Sequence, residues 1–266
     1  MPPPYVPPYV TITLHSGLGN RFFQVAAMLG YAERYGHTPV FVPGFIKDTS
    51  SHPGPHGITD FFPDISILVL ETEWTVLNEE GSPMAYTPLP RHDGNVRLHG
   101  MFQSHLYFPT SSIPIPHLLL PKTPNPTAYF LHVRRGDFLH PLCTHHNVPL
   151  GNYWKRCVSM IPDTSSIVVC SEDMAWCKAT LPAALPSVKP HQWIFTEATT
   201  DTETLSEMIG CWGGGICANS TFSWWAAYWN PNVEKRVFMP GTWGFPPMPV
   251  ARDIWPPWCF KVPTAA

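Results

Sequence analysis

The stretch YFLHVRRGDF, Tyr129 to Phe138, brings a histidine, two adjacent arginines and an aspartate to the end of an apolar run. Alternate residues of a strand share a face, so His132 and Arg134 project together while Arg135 points elsewhere until the chain turns at Gly136. A guanidinium is permanently charged and offers a planar fork of donors suited to phosphate, and Asp137 is spaced to orient it. The same residues also describe an Arg-Asp ion pair that fixes a loop.

Three other segments carry comparable chemistry. In SGLGN, Gly17 and Gly19 permit close backbone approach, and Asn20 stands where amides at a helix start could hold an anion. The segment lacks the third glycine of a dinucleotide fingerprint, and no acidic residue closes the following strand TPVFVP, which argues against a dinucleotide cofactor. ANSTFSWWAAYWN places Asn219, Ser220, Thr221 and Ser223 where a strand hands over to a helix. They suit either a phosphate or a plain helix cap, and Phe222 is the aromatic best placed to meet a ligand. In CSEDMAWC, Ser171, Glu172 and Asp173 end another strand, where the carboxylates could bind ribose, move a proton, hold a metal or cap the next helix. Cys143, His145 and His146 in CTHH read as a polar loop rather than a metal site.

Several elements must position these groups. YVTITL, Tyr9 to Leu14, reads as a strand, Arg21 to Gly36 as an amphipathic helix with Phe22, Val25, Ala26, Leu29 and Tyr31 inward and Gly36 ending it, and Thr38 to Pro43 as a second strand. That order implies a parallel sheet with right-handed crossovers. From Gly44 to about Pro126 the pattern weakens, except for VRLHGMFQSHLYF, a strand leading into an aromatic turn. The second half resumes with AYFLHV and SSIVVCSED as strands, LGNYWKRCVSMI, MAWCKATL and TDTETLSEMIGCW as helices, and GGGICANSTFSWWAAYWN as strand, turn and helix. The proline-punctuated stretch Ser111 to Ala128 suggests a linker, giving domains of 1–125 and 126–266, with the C-terminal tail packing back on the first.

Composition sets the outer bounds. The 266 residues carry a net charge of -3, with a pI near 6.5, which excludes nucleic acid as the main partner and confines any basic chemistry to a local patch. With 33 prolines and 18 glycines beside 44% hydrophobic residues and 11 tryptophans, the chain reads as globular with stiff loops rather than disordered. Seven cysteines, an odd number spread over a long chain, do not form a disulfide framework. The start MPPPYVPPYV lacks a signal-peptide pattern, and no apolar run reaches the roughly 20 residues that span a bilayer. A soluble, cytoplasmic protein is expected, or one trimmed of an anchor.

Taken together and in order, SGLGNRFFQVAAMLGYAERYG, GMFQSHLYF, FLHVRRGDF, VVCSEDMAWC and ANSTFSWWAAYWN resemble the motif set of glycosyltransferase family 11, the α-1,2-fucosyltransferases. The HxRRxD element is shared with a wider fucosyltransferase superfamily. STFSWW is the more specific badge. The resemblance implies an α/β fold of GT-B type, two Rossmann-like domains facing a cleft, with the donor held mainly by the second. It implies GDP-β-L-fucose as donor, inversion, no cofactor and no divalent metal, and a glycan acceptor offering the 2-hydroxyl of a β-galactoside. Within it, Arg134 is the phosphate-binding arginine and His132 the histidine near the nucleotide, while Arg135 holds the loop. Gly17, Gly19 and Asn20 approach phosphate and fucose from across the cleft, and Ser220, Thr221, Phe222 and Ser223 line the phosphates and ribose. Glu172 stands where the family more usually has Asp. Glu203 or Glu207 would read guanine. Asp137 is the first candidate for general base and Glu172 the second. Aromatic faces in GMFQSHLYF, PGTWGF and DIWPPW could stack on acceptor rings or pack the core. The rival readings are a transferase for another nucleotide sugar and a glycan-binding protein that has lost transfer.

Overall fold

The β-branched run near the start of the chain forms β1 (Tyr9–Ile12), followed by α1 (Leu18–Tyr35), β2 (Thr38–Phe41), the short α2 (Ile58–Phe61), β3 (Ser66–Ile67), β4 (Thr75–Asn78) and β5 (Val96–His99). This computed structural model describes residues 8–47, 56–69 and 72–265; the opening prolines and much of SSHPGPHGITD, read above as a loop, lie outside the described residues. All five strands pair in parallel in the order β3-β2-β1-β5-β4. The switch point of this sheet lies between β1 and β5.

Helix α1 ends at Gly36 as expected, in the left-handed conformation with φ 75° and its N–H donating to the Ala32 carbonyl. It is not the simple amphipathic helix the spacing predicts. Phe23 and Met28 are buried together with Phe22, Val25 and Tyr31, while Leu29 is only half-buried. Loops on either side of β5 cover its outer face: Phe23 packs on Phe108 at 5.6 Å, and the Tyr31 hydroxyl donates to the Pro90 carbonyl at 3.1 Å.

The second sheet contains β6 (Ala128–Val133), β7 (Ser166–Ser171), β8 (Trp193–Phe195), β9 (Gly214–Ile216), β10 (Arg236–Pro240) and β11 (Cys259–Val262). Its helices are α3 (Gly151–Val158), α4 (Met174–Ala184), α5 (Asp201–Gly210) and α6 (Thr221–Trp229). Every strand pairing is parallel, in the order β8-β7-β6-β9-β10-β11. Counted from β6, that is the 3-2-1-4-5-6 order of a doubly wound nucleotide-binding sheet, with its switch point between β6 and β9.

Helices cover both faces of this sheet. Tyr129, Leu131 and Val133 of β6 join a buried cluster with Tyr153 and Cys157 of α3 and Cys177 and Leu181 of α4. The alternate residue His132 turns the other way and meets Phe222 at the start of α6. The glycines of GGGIC let β9 pass between its neighbours. Gly214 has φ 133°, and a Cβ on Gly215 would lie 2.1 Å from the Phe130 ring.

The chain divides into two units, Met1–Pro114 with Pro249–Ile254, and Ile115–Met248 with Trp255–Ala266. The proline-rich stretch is thereby split, most of it going with the second unit, where the turn His117–Leu119 lies against α5. Two α/β units, each built on a parallel sheet, are the GT-B type organisation expected from the sequence.

Candidate active site

Arg134 is the first residue beyond β6, at the carboxyl edge of the second sheet. Its Nη2 lies 2.5 Å from Asp137 Oδ1 and its Nη1 3.0 Å from Glu172 Oε1, and the guanidinium stacks 5.2 Å over the Phe138 ring. The side chain is 17% exposed, so it meets solvent while being held on two sides. Both the phosphate-binding and the ion-pair readings of RRGD therefore have a physical basis.

Arg135 turns away and holds the loop. Its Nε donates to Asp173 Oδ2 at 2.9 Å, its guanidinium lies 4.0 Å over the Trp176 ring, and its main-chain N–H donates to Glu172 Oε1 at 2.7 Å. Glu172 thus grips both arginines with one oxygen. Gly136 makes room for it, since a Cβ there would sit 2.8 Å from Glu172 Oε1. Asp173 also caps α4, Oδ1 accepting from the Trp176 N–H at 3.1 Å, and the hydrogen bond from Arg135 leads the causes that hold its carboxyl below the usual range. Ser171 Oγ accepts from the Asp173 N–H at 3.0 Å. Two guanidiniums face three carboxylates here, so the expected local patch of positive charge is balanced in place.

His132 is buried. Desolvation, with the Arg134 charge adding to it, pushes its imidazole down to about 3, so the ring is neutral. Its centroid lies 5.7 Å from that of Phe222, which joins the strand end to the STF turn. Ser220 caps α6, its Oγ accepting from the Phe222 N–H at 3.3 Å, and Thr221 begins the helix. Asn219 and Ser223 are interior struts. Asn219 Nδ2 donates to the carbonyls of His146 at 2.8 Å and Trp243 at 2.9 Å, and Ser223 Oγ donates to the Ser220 carbonyl at 3.3 Å. Trp224, Trp225 and Trp229 are core.

The two guanine-reading candidates separate. Glu203 closes a capping box on Thr200 and accepts from the Thr199 and Thr200 main chain, whereas Glu207 bonds the Thr196 hydroxyl just past β8. Core packing is also what Phe102, Tyr107 and Trp243 do, at 5% exposure or less, so these rings offer no open face to an acceptor.

In the first unit Gly17 caps α1, its carbonyl accepting from the Asn20 N–H at 3.0 Å and the Arg21 N–H at 3.1 Å. Gly19 is buried in the first turn. Asn20 Oδ1 accepts from Gln103 Nε2 at 2.8 Å. Gln103, Phe138 and Trp176 were missed by sequence reasoning. Each lies within a quoted motif, but neither composition nor periodicity distinguishes a residue that supports a side chain from one that packs.

A doubly wound α/β sheet with an arginine and a helix start beside its switch point belongs to the class of units that bind ligands at the strand carboxyl ends. Residues 123–240 match the model of glycosyl transferase family 11, so over that stretch the resemblance seen in the motifs is shown. A curated relative, the O-antigen biosynthesis glycosyltransferase WbnK of Escherichia coli, is 29% identical over 121 residues, which are 42% of this chain and 38% of that protein. The chain therefore spans well under half the length of the curated relative it matches. Among solved structures, fucosyltransferase NodZ from Bradyrhizobium aligns with a TM-score of 0.46 at 12% identity, over 86% of this chain and 94% of that one. NodZ α-1,6-fucosyltransferase co-crystallized with GDP aligns with a TM-score of 0.45 at 11% identity, over 86% and 93%. No helix among the described residues is long and apolar enough to cross a membrane.

Proposed function

We propose that this protein is an inverting fucosyltransferase that moves L-fucose from GDP-β-L-fucose to a sugar hydroxyl, the 2-hydroxyl of a β-galactoside, without a metal. The observation that carries the reading is Arg134 at the carboxyl end of β6, two residues beyond a neutral His132 whose ring meets Phe222 of the STF turn. As the glycosidic bond to GDP breaks, negative charge grows on the β-phosphate, and a fixed guanidinium stabilises that charge most in the transition state. The Ser220–Thr221 turn supplies helix-start amides for the same phosphates. Glu207 beside Thr196 is the carboxylate assigned to guanine. Gly17, Gly19 and Asn20 enter this reading through the family resemblance.

The acceptor hydroxyl must lose a proton. Asp137 is the more open of the two carboxylates on Arg134, its side chain 43% exposed against 24% for Glu172, and it is assigned as general base. Near-normal turnover of Asp137→Asn removes it from that role.

The test is calorimetry with GDP, GDP-fucose, GDP-mannose and UDP-galactose in EDTA, followed by GDP release with a lactose-type acceptor, on wild type and Arg134→Ala. Metal-free binding of GDP-fucose, acceleration by acceptor and loss of both in Arg134→Ala support the reading. Binding of a UDP-sugar instead reassigns the donor. Glycan binding indifferent to GDP and to Arg134 identifies a lectin on a transferase fold.

A further inference from the structure

A second group of cationic side chains lies within the first unit, around the switch point of its sheet. Arg97 and His99 alternate along β5 and so share a face, and Arg97 is the register partner of Thr11 on β1. His15 follows β1, with its ring centroid 6.0 Å from that of His99. Beyond β2, Ile46 bridges to Leu14 and brings Phe45 and Lys47 alongside. The Arg97 guanidinium lies 4.6 Å over the Phe45 ring, which meets Trp74 edge-on at 6.0 Å.

This group lacks a counter-charge. Among the described residues no carboxylate pairs with Arg97, and its Nε and the neighbouring Thr11 Oγ1 are buried without hydrogen-bond partners. Glu79, just past β4 and bonded through its N–H to the His99 carbonyl, turns its two oxygens to the N–H groups of Met101 at 2.7 Å and Phe102 at 2.9 Å. Burial, and after it His99, Lys47 and Arg21, push the His15 imidazole down from its ordinary value. A half-buried cation without a partner costs free energy that a bound anion would offset.

We infer that Arg97, with His15, His99 and Lys47, forms an anion-binding site of the first unit that takes the carboxylate or phosphate group of a small acidic ligand. An open parallel sheet binds ligands beyond the carboxyl ends of its strands at the switch point, which is where His15 and His99 stand. The planar fork of a guanidinium matches either anion, and the imidazoles and ammonium add donors around it. Such a ligand is independent of the donor proposed above.

Calorimetry with glucuronate, inorganic phosphate and neutral galactose tests this on the full chain, as wild type, Arg97→Gln, Arg134→Ala and Lys47→Gln/His99→Gln. Wild type and Arg134→Ala should bind an anion alike, and Arg97→Gln should bind it about 10-fold more weakly or worse. Lys47 and His99 are exposed, so their double variant keeps the fold and should lose about 2-fold to 5-fold, which decides the matter if Arg97→Gln does not fold. Tighter binding of glucuronate assigns the site to a sugar carboxylate, and tighter binding of phosphate assigns it to a phosphate group. A bound anion favours the imidazolium form, so glucuronate affinity should rise from pH 8 to pH 6, and His15→Gln/His99→Gln should lose that rise. No anion binding by wild type, equal binding of galactose, unchanged affinity in Arg97→Gln or a flat pH profile in wild type overturns the inference. Loss in Arg134→Ala with retention in Arg97→Gln places the anion beside Arg134 and also overturns it.

Discussion

Glu172 Oε1 sits 2.7 Å from the main-chain nitrogen of Arg135 and 3.0 Å from Arg134 Nη1, so one carboxylate oxygen at the end of β7 sets both the path of the loop and the aim of the guanidinium. The glycine at 136 is part of that grip, because any side chain there meets the carboxylate. Glu172→Ala and Gly136→Ala should therefore weaken GDP binding alike. A charge-assisted hydrogen bond contributes about 1.5–3 kcal/mol, so the loss expected by calorimetry is about 10-fold to 100-fold. The double variant should be no worse than either alone, since both break the same contact.

His132 makes folding stability depend on pH in one direction. Its folded value, about 3, lies below the ordinary 6.5, so between those pH values the unfolded chain binds a proton that the folded one does not. The stabilisation from keeping this ring neutral is complete above about pH 6.5 and declines as pH falls toward 3. Urea unfolding at pH 4.5 and pH 7.5 should give a larger difference in stability for wild type than for His132→Gln. Equal differences would mean that the ring does not titrate in this way.

Asn219 separates a strut from a ligand contact. Its amide donates to two main-chain carbonyls that no strand ladder satisfies, those of His146 and Trp243. Removing it in Asn219→Ala strands the Trp243 carbonyl and leaves that of His146 with the Val148 N–H alone, at a cost of about 2 kcal/mol. The melting temperature should drop by about 4–8 °C for a chain of this size, with GDP affinity of the folded protein little changed. Asn219→Asp should melt lower still, because it sets a carboxylate oxygen against a carbonyl. Unchanged melting with lost GDP binding would return Asn219 to the ligand.

Two helical glycines should respond oppositely to the same substitution. Alanine is favoured over glycine in a helix by about 1 kcal/mol. At Gly151, on the first turn of α3, a Cβ meets nothing within 4 Å, so Gly151→Ala should be neutral or slightly stabilising. At Gly30 in α1 the new atom would lie 1.9 Å from the Tyr107 carbonyl oxygen, and Gly30→Ala should lose several kcal/mol as the loop is forced off the helix. Chemical denaturation of both variants measures the contrast.

The sequence by itself determined whatever depends on near neighbours along the chain. β1, β6 and β7 are legible as apolar or β-branched runs, α5 as a helix with acidic residues in its first turn, and the end of α1 at Gly36 as the need for a left-handed residue. Charge and composition likewise left any basic chemistry to a local patch, and residue types pointed to SGLGN, RRGD, SED and STF as candidate segments. β4, an exposed strand at the edge of its sheet, carries no burial alternation to read, and β8, β10 and β11 are short runs set among prolines, loops and mixed residues.

Only the tertiary structure decided which side chain meets which. Strand order brought β6 beside β9, and so His132 to Phe222, although 90 residues separate them in the chain. It turned Glu203 into a cap and left Glu207 against Thr196, made Asn219 a strut, and balanced Arg134 and Arg135 with three carboxylates. It also joined Gln103 to Asn20. A local pattern encodes secondary structure because its physics is short-ranged. Contacts between distant segments arise from sheet order and packing, which no window of the sequence contains.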